Sequence, residues 1–258
     1  MRISVRAHLH YTTSSACDGL MQFEAHSDAA QTCVASNLQL PTGAETREIQ
    51  GEDGIGRRRW VTIGQDFTCQ YDATFDIQRA PATLSQLAAA RVNEIPGDVT
   101  KYVLPSRYCR PDAIGDILTT HFAGLAGGAL IEQVSDWINT TFTYDIYASH
   151  GGTTSTDSLT ARAGVCRDYA HVLIAVARAV GIPARYASVY APNVTPQDFH
   201  AVAQVYLDGA WHFVDPTGMA HASDTLLIGV GRDAADVSFL TSFGAIELVK
   251  QAIEVFRI

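Results

Sequence analysis

The period of the apolar positions changes partway along the chain. Over residues 2–11, Ile3, Val5, Ala7, Leu9 and Tyr11 alternate with polar neighbours, the two-residue repeat of a half-buried strand. The repeat returns from Phe67 to Ile77, where every odd position is apolar and Cys69 is predicted to face an interior. Cys33 falls in a similar strand-like run. Such runs, separated by glycine-containing turns, continue to about residue 78, and Asp53-Gly54-Ile55-Gly56 ahead of Arg57-Arg58-Arg59-Trp60 marks one hairpin. This half reads as all-β, with the three arginines as an exposed strand end.

Beyond it the spacing becomes helical. Leu84, Leu87, Ala88 and Arg91 predict a helix from Pro81 to Ile95, and residues 101–111 read as an extended connector. Leu130, Val134, Trp137 and Ile138 predict a core-packed helix behind Gly127-Gly128. Residues 144–156 form a Ser/Thr/Gly-rich loop. Residues 169–181 are apolar on nearly every side and end in Gly181, the signature of a buried central helix with a glycine cap. The expected division is residues 1–100 as an N-terminal β-sandwich-like domain and 101–258 as a mixed domain, giving an α+β fold.

Candidate chemistry concentrates at the start of that central helix. In Arg162-Ala-Gly-Val-Cys-Arg-Asp-Tyr-Ala-His171 a glycine-bounded loop delivers Cys166 to the first helical turn. Helix N-termini favour negative charge, which suits a thiol that must attack as thiolate. Downstream, residues 201–207 and 211–215 flank Asp208-Gly209, a tight-turn pair between two strand-like runs. With a two-residue turn, Leu207 faces Ala210, Val202 faces Asp215 and His200 faces Thr217. His200 and Asp215 then share a face as diagonal neighbours within hydrogen-bond reach, and a loop one residue longer would separate them. The order Cys166, His200, Asp215 supplies a nucleophile, an imidazole base and an orienting carboxylate.

Two other histidines compete for the role of base. His171 lies five residues past Cys166, which turns it about 140° around the helix, and it reads as an interior histidine. His212 has the opposite strand parity to Asp215. Asp168 fits a structural role, since a carboxylate is favoured in the first turn. An oxyanion hole needs a second donor beside the Cys166 N–H, with Tyr144, Tyr147 and Trp137 as candidates.

The four motifs Gly164-Val-Cys-Arg-Asp-Tyr-Ala-His171, Gly181-Ile-Pro-Ala-Arg-Tyr186, Asp198-Phe-His-Ala201 and Trp211-His-Phe-Val-Asp-Pro-Thr-Gly218 resemble, in order, the bacterial transglutaminase-like superfamily. The resemblance covers roughly residues 130 to 220. It implies a papain-like catalytic core in residues 101–258 and a Cys-His-Asp triad on Cys166, His200 and Asp215. It also implies a β-sandwich ahead of the core. The sequence departs from many relatives at Val202, where an aromatic is common, and at Gln204, where an acidic residue is common. The local signature of papain itself is absent.

The implied activity is thiol-dependent acyl transfer through a thioester. Hydrolysis of a peptide or protein substrate is expected first, because bulk water outcompetes an amine unless the site excludes it. The alternatives are a protein-glutamine transferase forming isopeptide bonds, and a non-catalytic interaction module on the same fold. A net charge of −9 without a basic run argues against nucleic acid or an anionic membrane as partner. With 47% hydrophobic and 17% charged residues the composition is globular rather than disordered. The alternating N-terminus lacks a signal peptide's apolar block, which points to a cytoplasmic address and to reduced Cys17, Cys33, Cys69 and Cys109. No CxxC or HxxxH pair is present, so neither a metal nor another cofactor is expected.

Overall fold

The alternating half folds as strands β1 (Arg2–Thr12), β2 (Cys17–Met21), β3 (Gln31–Gln39), β4 (Thr46–Gln50), β5 (Arg57–Ile63) and β6 (Asp66–Ile77) in a computed structural model that describes residues 1–80 and 82–258. The second half supplies α1 (Gly115–His121), α2 (Gly127–Thr141), β7 (Thr143–Tyr144), α3 (Ser155–Ala161), β8 (Ala163–Gly164) and α4 (Cys166–Ala179). Strands β9 (Ala184–Tyr190), β10 (His200–Leu207), β11 (Ala210–Val214), β12 (Leu226–Gly231), β13 (Leu240–Ser242) and β14 (Glu247–Arg257) follow. The fold is α+β.

Two four-stranded antiparallel sheets, β14-β1-β6-β3 and β13-β2-β5-β4, share one apolar cluster. Ile3, Val5, Ala7, Leu9 and Tyr11 all point into it, as do Phe67, Cys69, Tyr71, Ala73, Phe75 and Ile77. Each fully buried Ile, Val, Leu or Phe there contributes about 1.5–3 kcal/mol relative to exposure. The β part is not confined to residues 1–100, because β13 pairs with β2 and β14 pairs with β1 along its length. Chain order and spatial order therefore differ: the C-terminus closes the sheet that the N-terminus begins.

The second core lies between α4 and a sheet ordered β11-β10-β9-β12. From Tyr169 to Arg178 every residue of α4 is buried. Its end is a Schellman motif: Gly181 has φ +79°, its N–H reaches the Arg178 carbonyl at 3.0 Å, and the Ile182 N–H reaches that of Ala177 at 2.9 Å. The β10–β11 hairpin has the expected register, with Leu207 opposite Ala210 and Ala203 opposite Val214. Asp208 and Gly209 both take positive φ, +47° and +77°, as a type I′ turn requires.

Two expectations fail for physical reasons. No α-helix forms over residues 82–95, where the described chain makes only short 3₁₀ turns at Leu84–Gln86 and Val92–Glu94; Pro81 lies outside the described residues. Carbonyls that a helix would consume are taken by neighbours: the Leu87 carbonyl accepts the Gly128 N–H at 2.9 Å and that of Ala88 accepts the Asp208 N–H at 2.9 Å. Gly128 permits the approach, since a Cβ there would sit 1.6 Å from the Leu84 oxygen. The arginine run is also not a uniformly exposed strand end. Arg59 is largely buried against Glu24 at 2.9 Å, and the Arg58 Nη2 donates to the Asp236 carbonyl at 2.9 Å.

No helix among the described residues is long and apolar enough to cross a membrane, which says nothing of a β-barrel.

Candidate active site

Cys166 is the first residue of α4, and a buried carboxylate fixes the chain that delivers it. Asp168 Oδ2 accepts the Val165 N–H at 2.9 Å, one reciprocal half of a capping arrangement. Gly164 makes room, because a Cβ there would lie 2.7 Å from the Asp168 carboxylate, and its φ of +155° is open to glycine. Asp168 is therefore structural, as its place in the first turn implies. Upstream, β7 and β8 pair in parallel, with Tyr144 beside Gly164. This brings the Tyr144 ring against Tyr169, 5.9 Å between centroids.

His200 opens β10, and Asp215 follows β11 across the hairpin. His200 Nε2 donates to Asp215 Oδ2 at 2.8 Å, with both side chains almost fully buried at 0% and 3% exposure. The ring's other nitrogen, Nδ1, is buried without a hydrogen bond of good geometry, and it is the nitrogen left for Cys166, whose side chain adjoins the ring. Burial works against the imidazolium, but the Asp215 hydrogen bond, with the Cys166 contact and charge, outweighs it and raises His200 to about 10. Burial would likewise raise Asp215, yet the His200 bond and charge, with Thr217, bring it below the ordinary carboxylate value.

The turn Asp215-Pro-Thr-Gly218 holds the carboxylate rigidly. Asp215 Oδ1 accepts the Thr217 N–H at 2.9 Å, the Thr217 hydroxyl lies 2.8 Å from both carboxylate oxygens, and Oδ2 accepts the Ala220 N–H at 2.8 Å. From α2, Asn139 Nδ2 reaches the Pro216 carbonyl at 3.1 Å. Thr217 carries no catalytic signature of its own; its place two residues after an aspartate in a Pro-Gly turn is the local signal for such a bond.

The competing residues fall elsewhere. His171 is fully buried, accepts the Ala234 N–H on Nε2 at 3.2 Å and stacks on Tyr108 at 5.2 Å; burial, with Arg167 and Arg178 nearby, keeps it well below the usual imidazole value. His212 Nε2 reaches the Leu207 carbonyl at 3.2 Å. Tyr147 is 91% exposed, and Trp137 packs among Phe122, Phe142 and His121. Tyr144 lies against Cys166 instead, where burial and then the neighbouring thiol's charge push its phenol well up.

A cleft of about 370 Å³ opens beside Cys166 and His200. Gly151 lines it, so the 144–156 loop walls one side, tied by the Tyr108 hydroxyl to the Gly151 carbonyl at 2.9 Å. Among the described residues, no group of three or more His, Cys, Asp or Glu side chains is placed to hold a metal ion. All five cysteines are free thiols.

Residues 126–216 match the Transglutaminase-like superfamily. The fold superposes on a candidate cysteine protease from Cytophaga hutchinsonii with a TM-score of 0.93 and 28% identity, covering 99% of this chain and 90% of that one. The uncharacterized protein Rv2569c of Mycobacterium tuberculosis is 28% identical over 80% of this chain and 75% of its own length. The uncharacterized protein ML0607 of Mycobacterium leprae is 35% identical over 91 residues, a stretch that spans 32% of each protein. The segment that carries Cys166, His200 and Asp215 is thus a transglutaminase-like superfamily domain, set in a chain whose whole fold is similar to that of the candidate cysteine protease.

Proposed function

We propose that the protein is a thiol-dependent acyl-transfer enzyme that hydrolyses amide bonds in a peptide or protein substrate. Cys166 is the nucleophile, His200 the proton carrier and Asp215 the group that orients it. The observation that carries this reading is the His200 ring held at 2.8 Å by Asp215 on one nitrogen and left open toward Cys166 on the other. The similarity to a candidate cysteine protease supports the same reaction class.

In this mechanism the Cys166 sulfur attacks the carbonyl carbon, and a C–S bond forms as the carbonyl electrons move onto oxygen. The raised His200 value keeps the imidazole protonated through the neutral range, so the proton is at hand when the C–N bond breaks and the amine departs. Water, deprotonated by His200, then attacks the thioester; the C–S bond breaks, the acid leaves, and the Cys166 thiolate and the protonated His200 are restored. Charge on the oxyanion is met by the Cys166 backbone N–H at the helix start and, as the second donor, by the Tyr144 hydroxyl beside it. Cys166 is partly exposed on an open cleft, which gives water access to the thioester and favours hydrolysis over amine transfer. The proposed setting is the cytoplasm, where a nucleophilic thiol stays reduced.

The test is stoichiometric alkylation by iodoacetamide at neutral pH, mapped by mass to Cys166 and lost in His200→Ala. Equal labelling of Cys166 with and without the histidine would point to a non-catalytic module. With casein and a labelled primary amine, new free termini support hydrolysis, whereas amine-linked product overturns it in favour of isopeptide transfer.

A further inference from the structure

One wall of the cleft is built by residues 237–240, which run from the α4 core, where Val237 packs, into the β part, where Phe239 and Leu240 pack. Val237, Phe239 and Leu240 line the cleft together with Phe199, Tyr186 and Ala201. Phe239 stacks on Phe199 at 4.6 Å with the planes 12° apart, and Phe199 is the residue before His200. The segment is anchored from outside the catalytic sheet: the Gln22 N–H donates to the Phe239 carbonyl at 2.9 Å, Leu240 pairs with Met21, and Arg58 holds the Asp236 carbonyl at 2.9 Å and Gln22 Oε1 at 3.1 Å.

Strand β12 is cut to receive it. A Cβ on Gly231 would lie 2.5 Å from Asp236 Cβ and 2.5 Å from Val237 Cγ2, and a Cβ on Gly229 would lie 2.3 Å from the Gln22 amide. Neither glycine has a positive φ, so the requirement is close approach and not backbone conformation. The two glycines of Ile228-Gly-Val-Gly231 thus set the depth of the wall.

The cleft is also lined by Arg167, which is only partly engaged, since its Nε is buried without a hydrogen-bond partner. Arg167 Nη2 donates to the His150 carbonyl at 2.6 Å, and the guanidinium lies 5.2 Å above the Tyr108 ring. No carboxylate lines the cleft among the described residues. A cationic group would therefore meet Arg167 and His200 with no counter-charge, whereas an apolar group would meet the Phe199–Phe239 face.

We infer that the 237–240 segment is the specificity wall of the site and takes a bulky apolar side chain flanking the scissile bond, and that presenting this wall is the task of the β part. The inference rests on Cys166 being the nucleophile. Its probe is a set of N-substituted iodoacetamides carrying benzyl, carboxymethyl or aminoethyl groups, each rate at Cys166 divided by that of the same reagent with a small free thiol. The benzyl reagent is expected to exceed the other two by about tenfold, the lower end of what burying an aromatic ring provides. In Phe239→Ala, and in Gly231→Ala, which pushes the wall into the cleft, the benzyl-to-iodoacetamide ratio is expected to fall toward one. Equal normalised rates in the wild type, or a faster carboxymethyl reagent, would overturn the inference without any variant having to fold. So would a ratio untouched by Phe239→Ala. Loss of preferential Cys166 labelling by plain iodoacetamide would instead sink the catalytic reading itself.

Discussion

Strand β10 carries two buried polar clusters, one begun by His200 and the other by Gln204 on the same strand. Around Gln204 every charge is answered. Arg185, 4% exposed, donates to Gln204 at 2.8 Å and to Asp53 at 3.0 Å, and its guanidinium lies 4.0 Å above the Trp211 ring. Asp53 also accepts from Tyr102 and Lys101, each at 2.6 Å. Burial would raise Asp53, but Lys101, Tyr102 and Arg185 hold its carboxyl below the ordinary range. Around His200 the accounting is left open: Asp215 is saturated, yet His200 Nδ1 is buried without a partner beside a thiol on an open cleft. The saturated cluster docks the β4–β5 hairpin onto the β11-β10-β9-β12 sheet. The unsaturated one keeps a proton available, and it is there that chemistry is proposed.

The comparison gives its largest effect at the open cluster. His200→Ala is expected to lower amide hydrolysis per folded molecule by about 10²–10⁴-fold, beside a loss of stability because Asp215 is left buried without its partner, as read by steady-state kinetics beside thermal melts. A variant that is inactive because it is unfolded would erase the contrast. At the closed cluster stability alone should fall. Asp53→Ala strips the counter-charge from a buried guanidinium and is expected to cost about 3 kcal/mol of stability in denaturant unfolding; this is the low end for a buried pair because Asp53 is itself 24% exposed. Cys166 in the folded fraction should keep its labelling rate.

The pH response sharpens the difference further. His200 is raised from 6.5 to about 10, so its stabilising contribution is complete below about pH 6.5 and is lost as pH climbs through about 10. Asp215 is lowered, so its contribution is present above the ordinary aspartate value and is lost as pH falls below it. The alkaline limb of activity is expected near pH 10, where the imidazolium gives up its proton, and Asp215→Asn should move that limb to lower pH. An alkaline limb unmoved by this change would separate the proton from His200. The smallest effect belongs to Thr217→Val, which removes one hydroxyl from Asp215 and should cost about 1 kcal/mol, visible as a several-fold loss in kcat with KM held.

Much of this is legible in the sequence. Asp208-Gly209 announces its type I′ turn, and the turn fixes a register in which His200 and Asp215 share a face. Gly181 marks the end of α4, and the alternation of β1 and β6 marks their inner faces. Where the reading failed, the cause was long-range. Leu84, Leu87 and Ala88 have helical spacing, but their segment gives its carbonyls to Gly128 and Asp208, partners far along the chain. Arg58 and Arg59 look solvent-bound until Gln22, Glu24 and Asp236 are folded against them. Gln204, an apparent departure from relatives, is the neutral acceptor for an arginine whose charge Asp53 already meets.

By itself the sequence determined local geometry where its signals are strongest: the inner faces of β1 and β6, the end of α4 at Gly181, the Asp208-Gly209 turn, and which side of the β10–β11 hairpin His200 and Asp215 occupy. These follow from backbone sterics and side-chain period, which act within a few residues. Tertiary structure alone decided that β13 and β14 return to complete the sheets begun by β2 and β1, that Phe239 stacks on Phe199, and that Gly229 and Gly231 admit Gln22 and Val237. Those contacts join residues far apart in the chain through packing and hydrogen bonds, and no local period encodes which distant surface a strand edge or an aromatic face will meet.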